Sequence, residues 1–155
     1  MPGIAGIISQ RSAEECESLA RAMVSSMNHE SFYVSGRCSV PELGIYGGWL
    51  AHTDSFAAKQ NTSNADSELA LLFAGECFGP KRRIVDLYEQ EGAGCPRQLN
   101  GLFSGILIDK RLRKMFLFND RYGMERIYLH EADGEFYFAT EAKALLRSFE
   151  MPFVN

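Results

Sequence analysis

The feature that most narrows the folds open to this chain is a pair of successive hairpins near its C-terminal end. Residues 102–109 and 114–119 are β-favouring runs on either side of a charged turn, Lys110-Arg111-Leu112-Arg113. Residues 127–130 and 135–140 flank a second turn with Asp133-Gly134 at its tip, a strong short-range hairpin signal. Connections this short join strands antiparallel, since a parallel pair needs a crossover of a dozen residues or more. Upstream, residues 3–8 read as a strand in which Gly3 and Gly6 permit close approach by a neighbouring backbone. Residues 43–51 are strand-like and carry Gly47 and Gly48, which predicts either a bulge or a crowded contact. Residues 68–76 form an apolar run that suits a strand buried on both faces.

Helices are fewer. Leu19, Met23 and Met27 recur at helical spacing after a start at Ser12 or Ala13, ending near Asn28. Pro80 sits where a second helix could begin, with Ile84, Leu87 and Tyr88 as its inner face up to Glu91. A short helix over 141–147 closes the pattern, and the small, polar residues of 52–67 read as a surface loop. Antiparallel strands with helices gathered at a few places predict an α+β chain in stacked layers, one domain over 1–155.

Composition excludes several classes of function. Net charge is −4, and the basic runs at 80–83 and 109–114 read as a solvated helix start and a hairpin tip, so no nucleic acid partner is expected. No stretch approaches the roughly 20 apolar residues of a membrane span. The four cysteines, Cys16, Cys38, Cys77 and Cys95, lie far apart without metal-ligand spacing, which predicts a cytoplasmic protein with reduced thiols and no metal.

Two segments say more. Residues 99–145, LNGLFSGILIDKRLRKMFLFNDRYGMERIYLHEADGEFYFATEAKAL, resemble the end of the glutaminase domain of asparagine synthetases. That family reads approximately L-x-G-x-F-A-F-x-x-x-D, a basic turn, R-D-R-x-G-x-x-P-L-Y and F-A-S-E-x-K-A-L. The opening MPGIAGI resembles its Met-Cys-Gly-Ile-x-Gly. Residues 71–79, LLFAGECFG, stand at its V-x-N-G-E-I-Y-N, and residues 27–36, MNHESFYVSG, at its H-R-G-P-D. The resemblance implies a four-layer αββα sandwich, the N-terminal-nucleophile hydrolase architecture of class II glutamine amidotransferases.

In that family the second residue does the chemistry. Once the initiator Met is removed, the Cys thiolate attacks the glutamine side-chain amide with its own α-amine as base. Glutamate and ammonia result, and the ammonia passes to an ATP-using synthetase domain. Here Pro2 stands at the nucleophile's position. Ala74 replaces the Asn that, with the N–H at Gly75, holds the oxyanion, and Glu30 beside His29 replaces the Arg that pairs the substrate carboxylate. The S-D-x-E segment that receives the ammonium has no match after Gly79. The expectation is therefore a vestigial site, Pro2 for attack, Ala74 and Gly75 for the oxyanion, Glu30 for substrate, with glutaminase activity absent.

Several readings follow from the resemblance. In the first, the chain is a scaffold or docking module for an ATP-dependent synthetase domain, in the same or a separate chain. No S-G-G-x-D-S loop occurs here, so ATP and Mg are expected only for that absent domain, and this chain is expected to hold no cofactor. A homodimer is left open. A second reading keeps glutamine hydrolysis through a displaced nucleophile, Cys77, with His29 or His52 as base, against the plain alternative of a buried apolar cysteine. A third uses the secondary amine of Pro2 as a base or nucleophile. A fourth is a regulatory pocket for a small cationic ligand, drawn by Glu30. Asp120, Arg121 and Glu141, matched in the family segments, form either a structural charge network or part of a ligand or domain interface.

Overall fold

A computed structural model describes residues 2–62, 66–79 and 82–149. The N-terminal strand β1 (Gly3–Ile8) lies in the middle of a five-stranded sheet, between β3 (Ile45–His52) and β8 (Glu135–Ala139). Outside these lie β2 (Tyr33–Val40) against β3 and β7 (Tyr128–Ala132) against β8. A second sheet holds β4 (Leu69–Cys77), β5 (Gly101–Asp109) and β6 (Lys114–Asn119). All strand pairs are antiparallel.

Strand alternation divides the apolar residues among three buried layers. Between the sheets lie Ile4, Leu72, Ala74, Ile106 and Phe138. Their neighbours in sequence face outward. Ala5, Ile7 and Tyr137 pack under α1 (Ala13–Met27) and α4 (Ala142–Leu146). Leu71, Phe73 and Phe103 pack under α2 (Phe56–Gln60) and α3 (Ile84–Glu91). The result is helix, sheet, sheet, helix, as the resemblance implied.

The two sheets close on each other over a slot in β1 and β3. Gly6 faces Gly47 directly across the ladder, and the Phe138 ring, fully buried, lies over the pair. A Cβ on Gly6 would come within 2.5 Å of Phe138 Cζ and of the Tyr46 carbonyl oxygen. The β1–β3 register runs unbroken from Gly3↔Leu50 to Ile8↔Ile45, so the glycines of β3 mark a crowded contact and not a bulge.

The structure departs from the sequence reading in three places. Strand β2 is absent from that reading because its Ser35, Arg37 and Ser39 alternate outward on an edge strand. The strand expected from residue 43 starts at Ile45, because Pro41–Leu43 form a 3₁₀ turn that Gly44 ends with φ 66°. The expected loop over 52–67 contains α2, whose Phe56 and Ala57 are buried and whose Ser55 accepts a hydrogen bond from the Ala58 N–H. Pro80 lies outside the described residues, and α3 itself begins at Ile84.

The basic hairpin tip is a clamp. Asp109 is 1% exposed and accepts hydrogen bonds from the Tyr88 hydroxyl at 3.0 Å, the Arg111 guanidinium at 3.2 Å and the Leu112 N–H at 3.2 Å. Burial opposes the charge, but Arg111, the Leu112 amide and Tyr88 outweigh it and hold the carboxyl below its ordinary range. The clamp ties α3 to the β5–β6 hairpin.

Two stability tests follow. Gly6→Ala should cost about 1–3 kcal/mol in urea unfolding, towards the upper end because a backbone carbonyl blocks the Cβ. An unchanged midpoint would mean that the slot under Phe138 has room. Asp109→Asn should cost about 1.5–3 kcal/mol at neutral pH. Since its folded-state pKa lies below the unfolded one, this stabilisation is complete above the ordinary carboxylate pKa and is lost as pH falls through the folded value. The gap between the two proteins should therefore narrow in acid, and a gap independent of pH would assign the loss to packing.

Candidate functional site

At one end of the sandwich the start of β1, the end of β3 and the end of β4 converge on a small pocket of about 110 Å³. Pro2 lines it from β1 and Gly75 from β4. The start of β1 is held there by its central place in the sheet and by Thr140, whose hydroxyl accepts from the Ile4 N–H at 3.1 Å. The free edge of β4 faces the chain around residue 61. Leu71 N–H donates to the Thr62 carbonyl and Phe73 N–H to Asn61 Oδ1, and Gly75 follows two residues further along this edge. Gly75 has φ 112°, and a Cβ there would meet the Leu102 carbonyl oxygen at 2.1 Å, so only glycine fits.

Apart from His52, weighed as a base for Cys77, the remaining wall comes from residues without a site role in the sequence reading. Ala51, Ser55 and Ala57 bring β3 and α2 to the pocket, while Glu76 and Glu125 bring two carboxylates. Glu76 falls inside the family-like segment AGE, which was the signal available for it. Glu125 carries no such signal, because only the folding of the turn after β6 brings it there. His52 also lines the pocket, stacked on Phe32 at 5.5 Å and edge-on to Tyr33 at 5.1 Å.

Asp120 builds that turn. It is 3% exposed, and its carboxylate accepts from the N–H groups of Tyr122 at 3.0 Å, Met124 at 3.1 Å and Glu125 at 2.8 Å. Burial alone would raise its pKa, but the amides outweigh it and lower it. Glu125 goes the other way: burial, then the nearby Asp120 charge, pushes its carboxyl up.

The other residues singled out in the sequence lie elsewhere. Ala74 is buried between the sheets with Ile4 and Ile106, adjacent in sequence to the pocket but not lining it. Glu30 is exposed ahead of β2 and does not line the pocket either. Cys77, weighed as a displaced nucleophile or as a buried apolar cysteine, does not line the pocket; its side chain belongs to the core under α2 and α3, as the second of these has it. Burial, with Glu76 adding, pushes that thiol up to about 11, far from a ready thiolate. Of the two readings of Asp120, Arg121 and Glu141, the charge network shared by all three is not formed among the contacts described. Asp120 serves backbone amides and Arg121 is exposed, whereas Glu141 pairs with Lys143 at 2.9 Å and with His29 at 3.6 Å.

Chemically, the pocket offers carboxylates, an imidazole and a backbone edge. The Ser55 hydroxyl is occupied as a helix cap, and no lining residue is a cysteine. Among the described residues no group of three or more His, Cys, Asp or Glu is placed to hold a metal ion. Nor is any described helix long and apolar enough to cross a membrane.

Comparison with known proteins places this geometry in a family. A family model described as a glutamine amidotransferase domain matches residues 60–147. Asparagine synthetase [glutamine-hydrolyzing] 2 of Bacillus subtilis (strain 168) is 26% identical over 170 residues, covering 94% of this chain and 22% of that protein. Asparagine synthetase [glutamine-hydrolyzing] 3 of Arabidopsis thaliana is 28% identical over 114 residues, covering 62% of this chain and 20% of that protein. The chain thus spans about a fifth of the length of these relatives. Glutamine phosphoribosylpyrophosphate amidotransferase from B. subtilis, solved with ADP and GMP, superposes with a TM-score of 0.70 over 94% of this chain and 43% of that one. At 11% identity this likeness establishes the fold. With the family match spanning more than half of its residues, the chain belongs to the glutamine amidotransferase domain family.

Proposed function

We propose that this chain is a glutaminase-like domain that no longer hydrolyses glutamine and serves as a scaffold or docking module for an ATP-dependent, amide-forming domain. The observation that carries the reading is Pro2, which lines the pocket with Gly75 at the position the family gives its attacking cysteine. The proline side chain is hydrocarbon and offers no thiol to attack the amide, and loss of a nucleophile costs on the order of 10⁶ in rate in a well-studied hydrolase. Ala74 has no side-chain donor, and one oxyanion donor is worth roughly 10²–10³. Glu30 is exposed and of the wrong charge for a substrate carboxylate. These losses bear on separate steps, so no single compensation repairs them.

In this reading the chain works in the cytoplasm. ATP and Mg belong to the amide-forming domain, which takes free ammonia or another amine as its nucleophile. A second reading draws on a different observation. Among the described residues the pocket presents Glu76 and Glu125 and no Lys or Arg, which favours a small cationic ligand bound without turnover, in a regulatory role.

The test is glutamate release from glutamine, together with intact mass after exposure to an electrophilic glutamine analogue. The chain should stay at the uncatalysed background and form no adduct. Pro2→Cys should leave glutamate release at least about 10²-fold below that of a working amidotransferase, because the oxyanion donor stays absent. Steady glutamate release by the unmodified chain would sink the proposal, and its loss in Cys77→Ala would name the displaced nucleophile.

A further inference from the structure

On the other side of the Asp120 turn lies a second depression, about 330 Å³, with no lining residue in common with the first pocket. Arg97 reaches it from the end of the 3₁₀ segment Gly92–Gln98, and Arg121 from the turn after β6. The residues that complete its polar wall are Gln98, Asn100 and Tyr122. Among the described residues no aspartate or glutamate lines it.

Both guanidinium groups are uncommitted. Among the described residues, no hydrogen bond or ion pair takes the side chain of Arg97, Gln98, Asn100 or Arg121. Some arginines are engaged, as Arg11 is with Glu135 and Arg111 with Asp109 and Glu89. Others, such as Arg21 and Arg37, are unpaired singly among those residues; here two unpaired arginines line one depression. Arg121 escapes its neighbour in sequence for a clear reason. The Asp120 carboxylate is turned inward and spent on three backbone amides. Both arginines line the same depression, so an anion seated in it meets two positive side chains. The site stands in a chain of net charge −4, so its attraction for anions is local and does not come from a general basic field.

The donor set decides the class of anion. Two planar guanidinium forks match the oxygens of a tetrahedral phosphate in bidentate fashion, and the Gln98 and Asn100 amides add neutral donors for the oxygens that remain. Tyr122, 79% exposed, offers a ring face at the rim. We infer that this depression binds a phosphate group, either as inorganic phosphate or as the phosphate of a nucleotide whose base rests on Tyr122. The site is separate from the glutaminase-like pocket and stands whether or not that pocket hydrolyses glutamine.

The experiment is a ¹⁵N NMR titration of the chain with inorganic phosphate, against potassium chloride at matched ionic strength. Saturable shifts confined to residues 97–101 and 121–122 are expected. Arg97→Gln and Arg121→Gln should each weaken binding about tenfold or more. Arg→Lys at either position should fall between, since the charge remains and the fork is lost, and Arg21→Gln, on the exposed face of α1, should leave binding unchanged. The same spectra report whether each variant is folded. A parallel titration with adenosine monophosphate separates the sources. Tighter binding that Tyr122→Ala reduces to the level of phosphate identifies a nucleotide, and equal binding identifies phosphate itself. Shifts that chloride reproduces, that fail to saturate, or that survive both glutamine substitutions would overturn the inference. Acetate binding as tightly as phosphate would overturn the assignment of ligand class.

Discussion

The packing of Phe138 over Gly6 and Gly47 sets the distance between the two sheets, and the candidate site depends on that distance. Facing sheets normally stand about 10 Å apart, with side chains of both filling the gap. Here two facing glycines remove the side chains that would hold β1 and β3 away, and one aromatic ring from the neighbouring strand takes their place. Leu72 closes the slot from the other sheet, its Cδ1 3.0 Å from where a Gly47 Cβ would stand. Because β1 is central and fixed in this way, the residue just ahead of it is carried to the end of the gap, beside Gly75 of the opposite sheet. A terminal strand on the edge of a sheet would fray and could not place residue 2 against anything.

The β5–β6 hairpin carries the other half of the architecture, and a buried carboxylate pins it at each end. Asp109 gathers Tyr88, Arg111 and the Leu112 amide at the tip. Asp120 gathers three amides where the hairpin leaves the sheet. Each charge is tolerable because its oxygens are satisfied, which is the condition for burying a carboxylate at all. Asp120 has the wider consequence: the one turn it holds sends Glu125 towards the first pocket and Arg121 towards the second depression. Gly123 makes the turn possible with φ 63°.

Much of the fold was legible in the residues, for reasons that differ between elements. Period-two patterns with strong turns, as around Asp133-Gly134, fix hairpins locally. Strand β2 defeated that logic because half of its residues face solvent, and α2 because five residues are too few for a helical period to register. The site was legible in part, and by a different route. Pro2 and Gly75 stood out by resemblance, not by pattern, since nothing local to either records that they meet. Glu125 meets them only through the closure of the turn after β6, and His52 through the pairing of β3 with β1. Arg97 escaped for the same reason, since unpaired charge is a property of the folded surroundings, whereas Arg121 stood in the sequence as part of either a charge network or a ligand or domain interface, and only the inward turn of Asp120 shows it unpaired.

The scaffold also explains how a site could lose its chemistry, as proposed, without losing its shape. A proline lacks the N–H that a ladder needs, yet β1 begins its pairing at Gly3, so Pro2 deprives the sheet of no hydrogen bond. Ala74 is apolar in an apolar layer, whereas an asparagine there would bring an amide into the gap between the sheets that needs partners of its own. Directly across the ladder from Ala74 stands Ser104, fully buried, its hydroxyl without a hydrogen-bond partner among the described residues. That hydroxyl is a polar feature of the layer that packing does not explain, and it lies beside the position where, by the resemblance, the family keeps its asparagine. Attack and oxyanion binding thus rest on side chains whose removal leaves the ladder and the layers in register. Gly6, Gly47, Phe138 and Asp120 have no such freedom, because each holds backbone in place. Under mutation, the residues of the reaction can be exchanged one at a time while those of the fold cannot.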